Sequence, residues 1–176
     1  MEAKAVFLDR DGVLNEPFVR DGVPRPPRGV EELVICPEVP GALALLKEAG
    51  YLLIVVTNQP DIARGTVTRA SVNAINEALA AALPIDEFVM CAHDNADQCP
   101  CRKPKPGMVL DAAARHGVDL ARSFLVGDRW RDIDCGAAAG VRTILIDRGY
   151  DERPPIHPPD FVAPSLAEAA DWILRG

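Results

Sequence analysis

No apolar run in this chain approaches the ~20 residues that a helix needs to cross a bilayer, so no membrane partner is expected. A secretory pattern is lacking as well, because the apolar segment Ala5-Val6-Phe7-Leu8 stops at Asp9. A cytoplasmic location is the expectation that follows. Basic residues are outnumbered, 19 Lys and Arg against 26 Asp and Glu, for a net charge of −7. That balance leaves no broad basic face and argues against nucleic acid as a partner. Internal repeats and low-complexity tracts are missing, and 48% hydrophobic residues excludes a disordered chain. The 176 residues suffice for one well-buried core and are short for two, so 1–176 is read as a single domain. No long heptad or strongly apolar surface stretch calls for an obligate partner, and a monomer is expected.

What is present is organised around Val6-Phe7-Leu8-Asp9-Arg10-Asp11-Gly12-Val13-Leu14-Asn15. Short buried runs of this kind read as central strands of a parallel sheet, and ligands bind just outside the C-terminal ends of such strands. Two further runs also end in polar residues, Leu52 to Thr57 followed by Asn58-Gln59, and Ser123 to Asp128. Asp9, Asp11, Thr57, Asn58 and Asp128 would then converge on one edge of the sheet. A carboxylate beside a bound metal can attack phosphorus, and a second carboxylate can move the proton. Arg102, Lys103 and Lys105 form a local basic concentration suited to a small anion.

Between these strands the spacing predicts helices. One follows Pro37 and stops at Gly50; the next is capped by Thr68, carries Val72, Ile75, Leu79 and Leu83 on one face, and ends at Pro84. Further helices are expected over 108–116, closed by Gly117, over 132–139, closed by Gly140, and after Ser165. Strands are expected at 87–91 and 142–147, with a short edge strand at Phe161-Val162. Residues 16–36 read as a long loop over the pocket, and 92–107 as an irregular insert. Strands alternating with helices give an α/β fold, a doubly wound parallel sheet with helices on both faces.

Of the five cysteines, Cys91, Cys99 and Cys101 fall within eleven residues. In a cytosolic chain such clustering reads as metal binding before disulfides. Cys36 and Cys135 are isolated and read as ordinary buried thiols. His116 and His157 read as surface residues.

Asp9-Arg10-Asp11-Gly12, Thr57-Asn58-Gln59, Arg102-Lys103-Pro104 and Gly127-Asp128, in that order, resemble the four motifs of the haloacid dehalogenase (HAD) superfamily of phosphatases. Phe7 to Asn15, Ile62-Ala63-Arg64-Gly65 and Cys101 to Met108 resemble more narrowly the branch of heptose 1,7-bisphosphate 7-phosphatases and histidinol-phosphate phosphatases. The resemblance implies a Rossmann-like HAD-type sheet with no large cap domain and a zinc-binding loop at about 91–107. It implies Asp9 as nucleophile, Asp11 as general acid and base, and Mg²⁺ held by Asp9, Asp128 and the Asp11 carbonyl. Thr57 and the Asn58 backbone would hold phosphoryl oxygens, and Lys103 would neutralise transition-state charge. Arg102 and Asn15 fall among the implied substrate-binding residues, with Arg102 facing a second anion. Cys91, His93, Cys99 and Cys101 would hold structural Zn²⁺, since three sulfurs and an imidazole form a closed tetrahedral set. Asp132 would support the site or cap the following helix.

The implied substrate is a phosphorylated sugar, a heptose 1,7-bisphosphate losing its 7-phosphate. The rival readings are a histidinol-phosphate phosphatase, a polynucleotide 3′-phosphatase and an inactive zinc-stabilised binding module. Two stretches depart from the branch. Pro60-Asp61 stands where the branch has Ser-Gly, removing a backbone donor and adding a negative charge near the phosphate. The other is the proline-rich 16–30 loop.

Overall fold

The computed structural model describes residues 2–20 and 23–176. In chain order the elements are β1 (Lys4–Leu8), β2 (Phe18–Arg20), β3 (Val23–Arg25), α1 (Val39–Glu48), β4 (Tyr51–Asn58), α2 (Arg69–Ala82), β5 (Glu87–Cys91), α3 (Gly107–His116), β6 (Phe124–Gly127), α4 (Trp130–Ala139), β7 (Arg142–Ile146), β8 (Phe161–Ala163) and α5 (Leu166–Arg175). Six of the strands form one sheet in the order β5-β4-β1-β6-β7-β8, and every pairing in it is parallel.

The strands are apolar throughout because both faces of the sheet are covered. Side-chain alternation divides them cleanly. Val6, Leu8, Leu53 and Val55 pack with Leu43 and Leu46 of α1, Ile75 and Leu79 of α2 and Ile173 of α5. Ala5, Phe7, Ile54 and Val56 face the other way, against Met108, Val109 and Ala112 of α3 and Cys135 of α4. The chain winds from β1 through α1 to β4 and β5, then crosses by α3 to β6 on the other side of β1. Strand order therefore reverses beside β1, where a parallel α/β sheet opens a crevice. No helix among the described residues is long and apolar enough to cross a membrane.

Helix ends follow local chemistry. Thr68 Oγ1 accepts from Ser71 N at 3.0 Å to start α2, and Gly117 closes α3 with φ 62°, a conformation costly for any residue with a Cβ. Three stretches differ from expectation by more than one residue. Helix α1 begins at Val39 with Pro40, not Pro37, in its first turn, where no backbone donor is needed. Helix α4 begins at Trp130 because the Asp132 carboxylate reaches back to the Arg129 N–H at 3.1 Å. The 16–36 segment is more ordered than a loop: β2 and β3 pair antiparallel, Phe18 opposite Arg25. Pro24 within three-residue strands hides that hairpin from a sequence reading. Asp21 and Gly22 of this segment lie outside the described residues.

Candidate active site

Strand β1 ends by delivering Asp9 to the crevice, where its N–H still joins the ladder to Val126 O at 2.9 Å. The chain then turns tightly, with Val13, Leu14 and Asn15 N–H all directed to the Arg10 carbonyl. Gly12 makes this turn possible with φ 85°, and a Cβ there would overlap the Asp128 carboxylate. Glycine in the motif thus lets the ends of β1 and β6 close on each other.

Lys103 reaches into this floor from the 92–107 insert and is 2% exposed. Its Nζ donates to Val56 O at 2.7 Å and to Asp132 Oδ1 at 2.6 Å, and lies 2.9 Å from Asp9 Oδ1. Burial works against the ammonium, yet Asp132 and Asp9 hold its pKa well above the usual lysine range. Burial and then the Asp132 charge push the Asp9 carboxyl up to about 6, in spite of Lys103. Asp128 is driven up by burial and by its Asp9 and Asp132 neighbours, and its Oδ1 is buried without a hydrogen-bond partner among the described residues. Carboxylate oxygens of Asp9, Asp128 and Asp132 lie within 4.8 Å of one another. The Asp132 oxygens are engaged by Lys103 and the Arg129 N–H, which leaves Asp128 and Asp9 to present oxygens to a hard cation.

Asp11 points along a different wall. Arg10 grips its carboxylate with Nε and Nη2 at 3.0–3.3 Å, Asn15 Nδ2 donates at 3.1 Å and Gln59 Nε2 at 2.9 Å. Gln59 also donates to Thr57 Oγ1 at 3.0 Å. Asn15, expected among the substrate-binding residues, is fully buried behind Asp11 and does not line the cleft. The Asn58 side chain is committed as well: it exchanges hydrogen bonds with the Lys103 backbone at 3.0 and 3.1 Å, pinning the insert to β4.

The insert is gathered around its four expected ligands. The Sγ atoms of Cys91, Cys99 and Cys101 are 3.1–3.6 Å apart, and His93 Nδ1 lies 3.4 Å from Cys101 Sγ and 3.6 Å from Cys91 Sγ. Such edges are close to those of a tetrahedron with ~2.3 Å zinc–sulfur bonds. None of these cysteines is in a disulfide. Burial raises the Cys91 thiol, and burial with hydrogen bonds to its sulfur neighbours takes Cys101 up to about 12. Burial opposes the Cys99 thiolate too, but the Cys101 thiol and the Arg102 N–H bring it down to about 7. Three sulfurs this close share their charge comfortably only around a cation. Cys36 and Cys135 are buried and His116 and His157 exposed, as read from the sequence.

Above the floor opens a cleft of about 390 Å³, bordered by Asp9, Asp11, Asn58, Lys103, Asp128 and a ring of arginines: Arg25, Arg64, Arg102, Arg129 and Arg131. The hairpin contributes Arg25 and Pro26, so the 16–36 segment does shape this pocket. The departure at Pro60-Asp61 is locally compensated. Asp61 pairs with Arg64 at 3.2 Å, and Arg64 also forks onto Asp94 at 2.7 and 2.8 Å. Hydrogen bonds from Arg64 and the Asn95 N–H hold the Asp94 carboxyl down at about 2. Tyr150 borders the cleft beside Asp128, and burial with that carboxylate raises its phenol. Arg10, Gln59, Arg131 and Tyr150 had no assigned role in the sequence. The Arg129-x-Arg131 pair next to Asp128 was the one visible hint of the rim.

A HAD-hydrolase-like family model matches residues 100–169. The chain is 38% identical over 151 residues to a D-glycero-β-D-manno-heptose-1,7-bisphosphate 7-phosphatase of Bordetella bronchiseptica, covering 83% of this chain and 82% of that protein. It is 34% identical to the protein of the same name from Escherichia coli K12, covering 97% and 88%. Among solved structures, the D,D-heptose 1,7-bisphosphate phosphatase of B. bronchiseptica, complexed with magnesium and phosphate, superposes with a TM-score of 0.79 at 34% identity, covering 98% of each chain.

Proposed function

Because the chain belongs to the HAD phosphatases that include the heptose-1,7-bisphosphate 7-phosphatases, we propose that it hydrolyses a sugar phosphate, removing the 7-phosphate of D-glycero-D-manno-heptose 1,7-bisphosphate. The observation that carries this reading is the convergence of Asp9, Asp128 and Asp132 on one buried lysine beneath an arginine-rimmed cleft. Asp9 attacks phosphorus and the bond to the sugar oxygen breaks, leaving an aspartyl phosphate. Asp11, which borders the cleft and keeps a 19% exposed side chain, gives a proton to the leaving oxygen. It then takes one from the water that cleaves the acyl phosphate. Lys103 balances charge beside Asp9, and Thr57 with the Asn58 backbone serves the phosphoryl oxygens. The free oxygens of Asp9 and Asp128, with the Asp11 carbonyl, would hold Mg²⁺, which would draw charge from the phosphoryl oxygens and let a carboxylate approach a dianion.

A substrate panel tests the reading. kcat/KM for the heptose bisphosphate should exceed that for histidinol phosphate and for a 3′-phosphorylated oligonucleotide by at least about tenfold. Preference for either rival would replace the proposed substrate, and no phosphate release with any of them would favour the binding module.

Metal linkage gives a second expectation. Asp9 has a raised folded-state pKa of about 6, so the folded state gains protons relative to the unfolded chain as pH falls through that region. Its charged form is therefore a cost to the fold that accrues as pH rises from the unfolded carboxylate value towards about 6. A cation that binds the charged form offsets this cost, so Mg²⁺ should raise Tm more at pH 7.5 than at pH 5. At a hundredfold excess over Kd the increment should be roughly 5–10 °C. Thermal shifts that are equal at both pH values would separate Mg²⁺ from these carboxylates.

The cysteine–histidine cluster would hold structural zinc and so fix the strand-to-helix insert that presents Arg102 and Lys103. Protein purified without chelator should carry about one zinc ion per chain by elemental analysis. Cys99→Ser should lower zinc content, turnover and Tm together, Tm by at least roughly 5 °C. A zinc-free preparation with full activity in the presence of Mg²⁺ would remove zinc from the account.

A further inference from the structure

Arg10 is fully buried, and its guanidinium is held from two sides. Nε and Nη2 fork onto the Asp11 carboxylate at 3.0–3.3 Å, and Nη1 donates to Asn76 Oδ1 at 2.9 Å. Asn76 sits in the middle of α2, on the face that buries Val72, Ile75 and Leu79, and it is the one polar residue among the buried residues of that helix. Asparagine is a weaker helix former than leucine, at a position the core would otherwise fill with an apolar side chain. Stability does not account for the arrangement, because the attraction of a buried ion pair is largely offset by desolvation. The carboxylate so gripped is the one that keeps 19% of its side chain exposed and borders the cleft. Without Asn76 the guanidinium would be free to swing on its long side chain, and the fork on Asp11 would swing with it. With Asn76 the plane of the fork is fixed from a helix 66 positions away. Asn15 and Gln59 complete the grip on Asp11 at 3.1 and 2.9 Å.

We infer that Asn76 is a positioning residue for the proton transfers of Asp11, acting through Arg10. The inference rests on the phosphatase reading and deepens it. Orientation matters most in the first step. As the phosphorus–oxygen bond breaks, its electron pair goes to the sugar oxygen, which takes the proton of the Asp11 carboxyl and leaves Asp11 ionised. A sugar alkoxide is too basic to leave without that proton. A weakly basic leaving group such as p-nitrophenolate needs none, so a misdirected Asp11 costs it little. Because kcat/KM reports the steps up to cleavage of the ester, it separates this difference from the later hydrolysis of the aspartyl phosphate.

The experiment measures kcat/KM on heptose 1,7-bisphosphate and on p-nitrophenyl phosphate for native protein, Asn76→Leu, Asn76→Asp and Asp11→Asn, each well below its Tm. Asn76→Leu removes the acceptor and suits the apolar face of α2. Its ratio of bisphosphate over p-nitrophenyl phosphate should fall about tenfold to a hundredfold, the scale of a displaced catalytic group. Asp11→Asn should lower the same ratio further, by about 10²–10⁴-fold. Asn76→Asp keeps an acceptor for Arg10 Nη1 and should recover part of the ratio. If Asn76→Leu does not fold, Asn76→Ala carries the same expectation, alanine being the best helix former. An unchanged ratio in the variant that lacks the acceptor, beside a fallen ratio in Asp11→Asn, would overturn the inference and leave Asn76 as a packing residue. A ratio unmoved by Asp11→Asn would overturn the assignment of Asp11 itself, and this inference with it.

Discussion

Asp9→Asn should lower kcat by roughly 10⁴-fold or more, the scale seen when a nucleophile is removed from a preorganised site. The amide lacks the anionic oxygen that must attack phosphorus, and no neighbour can replace it. Asp128 faces the same floor, but it leaves β6 while Asp9 leaves β1, and Asp132 is tied to Lys103 at 2.6 Å and to the Arg129 N–H. The fold should survive, since asparagine matches aspartate in shape. Its Oδ1 can still accept from the Arg10 N–H, a 2.8 Å bond in the native chain, and from Lys103. The native carboxyl is 9% exposed at residue level and raised to about 6, so its charge near neutral pH is a burden that the amide lacks. Tm of the metal-free variant should therefore equal or exceed that of the metal-free native protein at pH 7.5. Retention of more than about 1% of kcat in a pure sample, against the ~10⁴-fold loss expected for a missing nucleophile, would take Asp9 out of that role.

The parts of this site that the sequence announces are those whose chemistry is local. A buried apolar run that stops at an acid must deliver that acid to the sheet edge, which is why Asp9 and Asp128 could be placed together across more than a hundred positions. Cysteine spacing did the same for the insert, where Cys91, His93, Cys99 and Cys101 meet as their order suggests. Arg10 was hidden for the opposite reason. Between two acids it reads as a solvated turn charge, yet it is fully buried, and its second partner is Asn76 Oδ1, 66 positions away on α2 and 2.9 Å from Nη1. Asn15 was misplaced by the same kind of long-range fact: the turn that follows Asp11 folds it inward, where it supports Asp11 instead of meeting solvent.

Lys103→Met should damage catalysis and stability together, and the raised Asp9 carboxyl should make the two losses vary with pH in opposite directions. The lysine is the cation that hydrogen-bonds to the carboxylate floor, and all three Nζ protons have acceptors there. Methionine preserves volume and leaves Asp9, Asp128 and Asp132 buried without it. Removing one partner of a buried ion pair typically costs ~3–5 kcal/mol. Lysine is also what holds Asp9 down against burial and Asp132, so its loss moves the Asp9 carboxyl above about 6. The sign of the stability effect follows from that direction. A carboxyl raised in the folded state costs nothing below the unfolded value and costs progressively more as pH climbs to the folded one. In the native chain the Asp9 cost stops growing near pH 6; in the variant it continues to higher pH. The Tm deficit of Lys103→Met relative to native protein, both metal-free, should accordingly widen from pH 5.5 to pH 8. The acid limb of its kcat/KM profile should move to higher pH at fixed Mg²⁺, because only ionised Asp9 attacks. At pH 7 the combined loss of nucleophile ionisation and transition-state charge balance should be roughly 10²–10⁴-fold in kcat/KM. A Tm deficit that is constant across this range would show that Lys103 contributes packing alone, and an unshifted acid limb would show that Mg²⁺, not the lysine, governs Asp9.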